Sequence, residues 1–481
     1  MTNKTTMRKD LGDKQIREKL NGKSGKAYWS SLETLSQTEE FADLISREFP
    51  EQADQLADSE SRRNFLKLMG ASFALGGLSA CTIQPQEKIV PQVRAPEELI
   101  PGKPSYFASA YAHHGHAFGI LVESQMGRPI RVDGNPNHPA SLGGSSSAMQ
   151  ASILDLYDPD RAQTVTNAGR LSTPSIFWEQ FGQRLQEHQE SNGQGLRILS
   201  QTTTSPTEAG LLRSIQNKFP NVKVHYYEPH NRDNLYRGSD FSWGKHLSVD
   251  HDFSEANVIF SFDSDFTARG STSARYSKHF SKSRRVRDGQ DSMNRLYLVE
   301  SSPTATGSIA DHRWAMDSTS MEALALNLAV SLNVGIEGNY KLEQTLPTET
   351  INAIVEDLSA NRGRSILIAG DNCSPTLHAL INAINSKLGN INSTVFYRDP
   401  SEIDTGYQNE SLADLIEDMN SGDVNSLVIL GGNPLYHAPA NSGFSEAFSK
   451  VDFRAHLTTH INETSRQCQW QVAESHYLEA W

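Results

Sequence analysis

Seven short apolar runs recur between residues 196 and 430, separated by stretches that include helical periodicity, and this alternation restricts the fold more than anything else in the chain. The runs are Leu196–Ser200, Val222–Tyr226, Val258–Phe262, Leu296–Glu300, Ser365–Ala369, Thr394–Tyr397 and Leu427–Leu430. Helices are expected from Ser205-Pro206 to Phe219, and over Met321–Leu332, Pro375–Leu388 and Leu412–Met419. Proline suits the first turn of a helix, where its missing N–H is not needed. Strand–helix alternation at this spacing gives parallel sheets with helices on both faces. The fold class is therefore α/β.

Cysteine is the scarcest resource. The 481 residues include three, Cys81, Cys373 and Cys468, too few for a four-cysteine iron–sulfur cluster or zinc site. A Cys373–Cys468 disulfide is open to an exported protein, but two buried reduced thiols are the expectation. A net charge of -13 with no basic stripe beyond the amino-terminal region excludes a nucleic-acid partner. There is no Gly-x-Ser-x-Gly, no Walker loop and no Rossmann glycine triplet, so hydrolase, nucleotidase and nicotinamide chemistry lack support.

The amino-terminal third is organised for transport. Residues 1–60 form a charged extension in which Tyr28-Trp29, Leu32, Phe41, Leu44, Ile45 and Phe49 have the spacing of an amphipathic helix. Residues 61–81 follow, with Arg62 and Arg63 inside Ser61–Lys67 ahead of a weakly apolar run. That is the pattern of a twin-arginine export signal, used by proteins that fold before translocation. The run contains Gly70, Gly76 and Gly77 and falls short of the roughly 20 apolar residues that span a bilayer. Leu78-Ser79-Ala80-Cys81 matches a lipobox, so lipidation at Cys81 and a place on the periplasmic, extracytoplasmic face of a membrane are expected. Residues 82–104 are a proline-rich linker. Residues 105–170 read as a small β-rich domain, with Gly119–Glu123 and Pro129–Val132 flanking a turn at Met126-Gly127-Arg128. Residues 171–481 are the α/β region.

Ligands of open parallel sheets sit beyond the carboxyl ends of the strands. Three such loops carry candidate cofactor-binding residues: Thr202 and Ser205, Asp371, and Asn433 after Gly431-Gly432. Ordinary turn chemistry explains the same residues equally well. His113, His114 and His116 have the character of metal ligands, but His138 is the one further histidine near them, and no metal is expected. Asp263 and Asp265 end a strand, where capping is a more economical role than acid–base work.

Taken together, these segments resemble the molybdopterin oxidoreductase (dimethyl-sulfoxide-reductase) superfamily, and within it the large iron–sulfur subunit of alternative complex III. The carrying stretches are Tyr28-Trp29, the twin-arginine segment, Gly127-Arg128-Pro129-Ile130, Gly134–Pro139, Leu156–Arg161, Ala310–Arg313, Gly431–Pro434 and Asn462-Glu463-Thr464. The resemblance implies Rossmann-like domains preceded by the small β-rich domain. It also implies a four-iron cluster held by cysteines on either side of the hairpin, yet Ala110–Phe118 and Leu142–Ala148 contain none. Nor does a cysteine follow the second strand, where a molybdenum ligand is implied; Ser239 and Asp240 lie nearby. The chain is expected to stop within the first half of the pterin-binding region.

The expected function is that of a cofactor-free, non-catalytic scaffold in a respiratory quinol:electron-acceptor oxidoreductase. The implied partners are membrane quinol-binding subunits, haem c subunits and a ferredoxin-like domain carrying 4Fe-4S and 3Fe-4S clusters. The alternative is a catalytic bis-pterin molybdenum enzyme acting on a small oxyanion or sulfur compound, with molybdopterin held at Thr202, Ser205, Asp371 and Asn433. A third reading is a lipoprotein that binds a small solute between two lobes.

Overall fold

In the computed structural model, residues 102–286, 292–336 and 342–480 are described, together with Asn21, Ile100 and Gly338. All but Asn21 fall in one unit, Glu97–Trp481. It begins with an antiparallel sheet of β1 (Ser105–His113), β2 (His116–Gln125) and β3 (Arg128–Gly134) in the order β1-β2-β3. The β2–β3 turn is two residues, Met126 and Gly127, both at positive φ (53° and 79°). Positive φ at both central residues is the type I′ geometry that matches strand twist. Phe118, Ile120 and Val122 alternate onto one face of β2 and pack with Val132, Met149 and Ile153. The last two belong to helix α1 (Ser147–Leu156), whose first turn is capped by the Ser146 side chain.

The remaining strands form two parallel-rich sheets, one nested in the sequence of the other, and a separate antiparallel pair. They are β4 (Thr166–Asn167), β5 (Arg170–Leu171), β6 (Leu196–Ser200), β7 (Lys223–Tyr226), β8 (Ser248–His251), β9 (Val258–Phe262) and β10 (Arg295–Glu300). After them come β11 (His312–Ala315), β12 (Ser365–Ala369), β13 (Val395–Arg398), β14 (Ser426–Leu430), β15 (Phe453–Thr458) and β16 (Trp470–Ala473). The first sheet has the order β5-β4-β16-β15-β14-β6-β7, and the second β11-β10-β9-β12. Strands β7, β6, β14, β15 and β16 run parallel, and so do all four of the second sheet.

Both faces of the second sheet are covered. Phe260, Phe262, Val299 and Leu367 pack on one side with Leu324, Leu328 and Ile384. Ile259, Leu296 and Ile366 pack on the other with Phe253, Tyr276 and Phe280. Burial on two faces is why these strands read as unbroken apolar runs. One run behaves differently from the expectation. The stretch around Thr394–Tyr397 does not join a parallel sheet; Val395–Arg398 pairs antiparallel with Ser248–His251. The carbonyl of Asn390 accepts the N–H groups of Ser393, Thr394 and Val395, a tight turn that redirects the chain first. Among the described residues, no helix is long and apolar enough to cross a membrane.

Candidate functional site

A cleft opens where the β1–β2 turn meets the loops after β6, β7 and β12. Its walls include His114, His116, Thr202, Glu228, Arg232 and Glu402. The β1–β2 turn reaches it because Gly115 holds φ +72° with its Cα against the backbone of Thr202. A Cβ on Gly115 would lie 2.5 Å from the Thr202 carbonyl oxygen. Thr204 fastens the turn, donating its N–H (3.1 Å) and Oγ1 hydroxyl (2.6 Å) to the Gly115 carbonyl.

The two histidines of the turn each face a carboxylate. His114 Nδ1 is 3.5 Å from Glu228 Oε1, and His116 Nε2 is 3.6 Å from Glu402 Oε1. Arg232 lies between the loops and donates to Glu402 Oε1 (3.0 Å) and to Ser271 Oγ (2.9 Å). His230 and Asp371 approach to 3.7 Å. The hydrogen bond with Glu228 raises the His114 pKa against the opposing effect of burial. Burial works to raise Glu402, but His116 and Arg232 outweigh it and hold that carboxyl at about 2. One oxygen of Glu402, Oε2, and the hydroxyl of Tyr236 are buried without a protein partner.

The expected site residues separate. Thr202 and Asp371 share this cleft, and Thr202 Oγ1 accepts from Gln408 Nε2 at 2.8 Å. Helix α2 spans Pro174–Glu190 and α3 Pro206–Lys218; Ser205 is spent on the N-cap of α3, accepting from the Glu208 N–H. Asn433 lines a smaller hollow with Gly431 and Gly432. Its Oδ1 accepts from Thr464 N and Oγ1, and its Nδ2 donates to Glu463 at 2.6 Å. Ser239 is buried and bonds to backbone carbonyls of Tyr236 and Lys245, while Asp240 accepts from Tyr407 and faces His246. Asp263 and Asp265 accept from Ser301 and Thr306, tying the end of β9 to the next loop as a cap. Arg62, Arg63 and Cys81 lie outside the described residues. Among the described residues, no group of three or more metal-binding side chains is disposed to hold an ion.

Glu228, His230 and Arg232 follow β7 directly, and the rule of carboxyl-end loops could have found them. Glu402 has no comparable signal, since it lies 170 residues from the arginine it pairs with.

This arrangement of nested parallel sheets behind a small antiparallel sheet is the molybdopterin oxidoreductase fold. The structure superposes on acetylene hydratase from Pelobacter acetylenicus with a TM-score of 0.54 and 10% identity, over 77% of this chain and 63% of that one. In sequence, the chain is 22% identical over 467 aligned residues to the menaquinone reductase molybdopterin-binding-like subunit of Nitratidesulfovibrio vulgaris. That alignment covers 87% of this chain and 66% of the relative, so the chain spans about two-thirds of its length. No protein-family model matches the chain. The superfamily resemblance and the fold class expected from the sequence are both borne out.

The fold raises the question of a pterin cofactor, and the residues present do not fit one. Among the described residues, five carboxylates line the cleft (Glu228, Asp233, Asp371, Glu402 and Asp404) against one guanidinium, Arg232. Dinucleotide phosphates brought there would meet like charge in a partly desolvated space. The glycine turn after β14, whose backbone could lie against a phosphate, is covered from within. A Cβ on Gly431 would lie 2.6 Å from Gln201 Oε1, and one on Gly432 3.4 Å from Gln201 Cγ. Among the described residues that line the cleft there is no sulfur donor. The described thiols, Cys373 and Cys468, are buried, and burial pushes both up to about 12.

Proposed function

We propose that this chain is a cofactor-free, molybdopterin-oxidoreductase-like subunit of a membrane-associated respiratory quinone oxidoreductase, of the alternative complex III type. It acts as a scaffold for electron-transfer components and performs no redox step itself. The observation that supports the reading is the carboxylate-rich cleft beyond the strand ends, where His114 pairs with Glu228 and Arg232 with Glu402. The likeness to a subunit of a menaquinone reductase supports the respiratory setting.

In this reading the protein is exported through Arg62-Arg63 and held by a lipid on Cys81 at the outer membrane face. Its partners are quinol-binding membrane subunits, haem c subunits and a ferredoxin-like cluster-bearing domain. The test is affinity purification of the tagged full chain from detergent-solubilised membranes. Recovery with stoichiometric c-type haem and a polytopic subunit supports the scaffold. Recovery alone, in a form that reduces or oxidises an oxyanion, overturns it. Substituting Arg62 and Arg63 by Lys should leave the chain in the cytoplasm, and Cys81→Ser should release it from membranes.

A further inference from the structure

Strand β1 is the edge of its sheet, and among the described residues no further strand pairs with it. Natural edges are protected by charge, proline or bulges. Ser105–Ala112 contains neither a charged residue nor a proline, and its pairing with β2 runs without a bulge. The direction of its free backbone groups follows from β2. The Gly119 carbonyl is taken on the β3 side by Asn135 N (2.9 Å), so Ala110, opposite Gly119, turns its own N–H and C=O to the open edge. With a period of two, Tyr106, Ala108 and Ala112 do the same. Exposed side chains accompany these groups: Tyr106 is 60% and Phe107 58% exposed. Phe107 pairs with Val122 across the sheet, on the face that holds the core, yet the core stops short of it.

We propose that β1 pairs antiparallel with β1 of a second copy of this chain, about a two-fold axis through Ser109. In that register Ala108 faces Ala110 and Tyr106 faces Ala112, so the residues with free backbone groups meet as hydrogen-bonded pairs. Phe107 faces Tyr111, an aromatic pair on the core side, and Ser109 faces itself. The large outer residue meets a small one, and no like charges oppose each other. Such a contact is isologous, as a two-fold requires. This self-complementarity favours a second copy over an unrelated strand. One strand edge is a small interface, so the association depends on concentration.

The test is sedimentation equilibrium of the purified full chain over a concentration series, with a Cys81→Ser background to remove the remaining thiol outside the described residues. Wild type should pass from monomer to dimer as concentration rises. Ala110→Pro, which removes an N–H that β2 does not use, and Ala108→Lys should both stay monomeric with unchanged thermal melting. Ser109→Cys should form a covalent dimer on mild oxidation, because facing residues of a non-hydrogen-bonded pair lie about 4.5 Å apart at Cα. Ser214→Cys, on the exposed side of α3, should form none. A wild-type monomer at every concentration, a dimer that survives both edge variants, or equal cross-linking at 109 and 214 overturns the proposal.

Discussion

Gly115→Ala tests how the small sheet is fastened to the cleft. The substitution places a Cβ 2.5 Å from the Thr202 carbonyl oxygen, an atom of the main chain that cannot swing aside. It also forces an L-residue to hold φ +72°, at a cost of about 1–2 kcal/mol. Relieving the clash moves the turn away from Thr204 and breaks its two hydrogen bonds, worth about 0.5–1.5 kcal/mol each. The sum, about 2–5 kcal/mol, is a local opening that rises by roughly thirty-fold to a few thousand-fold. Gly127→Ala supplies the comparison, since it has φ +79° but nothing within 4 Å of the added Cβ. It should show the strain term alone. Amide hydrogen exchange over residues 113–116 and 202–204 is the assay, with thermal unfolding beside it. Equal exchange in the two variants would show that the turn is not docked as described and would refute the reasoning.

Other consequences are more direct. Asp418→Ala should cost about 3–5 kcal/mol in denaturant unfolding, because Arg197, 5% exposed, is left buried without its 2.7 Å partner. Lys223→Ala, on the exposed side of the same carboxylate, should cost less than about 1 kcal/mol. Burial lowers His251, His378 and His456 to about 4, below the ordinary value near 6.5. Their contribution is therefore complete above pH 6.5 and is lost as pH falls towards 4, so melting temperature should drop across that window. His114 has the opposite sign: Glu228 raises it, so its pairing is complete below pH 6.5 and fades as pH rises through the elevated value. Exchange at residues 113–116 should accordingly quicken on the alkaline side while global stability holds, and a parallel pH course for both would contradict the assignment. Glu402→Gln removes the charge facing both Arg232 and His116, and should destabilise by about 3–5 kcal/mol; a neutral result would show that the pair is solvent-screened.

Much of the fold could be read because buried parallel strands write themselves locally. Leu196–Ser200, Val258–Phe262 and Ser365–Ala369 are observed with the bounds expected from their apolar runs, each followed by a loop at the carboxyl end. Strand β15 was missed because Arg454 and His456 interrupt its pattern, although His456 is fully buried and bonds to the Gly431 carbonyl. Strand β1 was missed because Ala and Ser dominate it. The nesting of one sheet between β7 and β14 is a long-range property that no window of sequence carries. The site divides in the same way. Thr202 and Asp371 follow strands and were legible, whereas the pairing of His116 with Glu402 joins segments without any shared local pattern.

The central proposal is that this chain binds no pterin and that its cleft carries internal side-chain pairs instead. Elemental analysis for molybdenum and tungsten, with fluorescence of oxidised pterin, on the complex purified from its native membrane tests this most directly. The account predicts neither metal nor pterin associated with this chain, in wild type and in Gln201→Ala alike. One molybdenum or tungsten per chain, together with pterin, would contradict it.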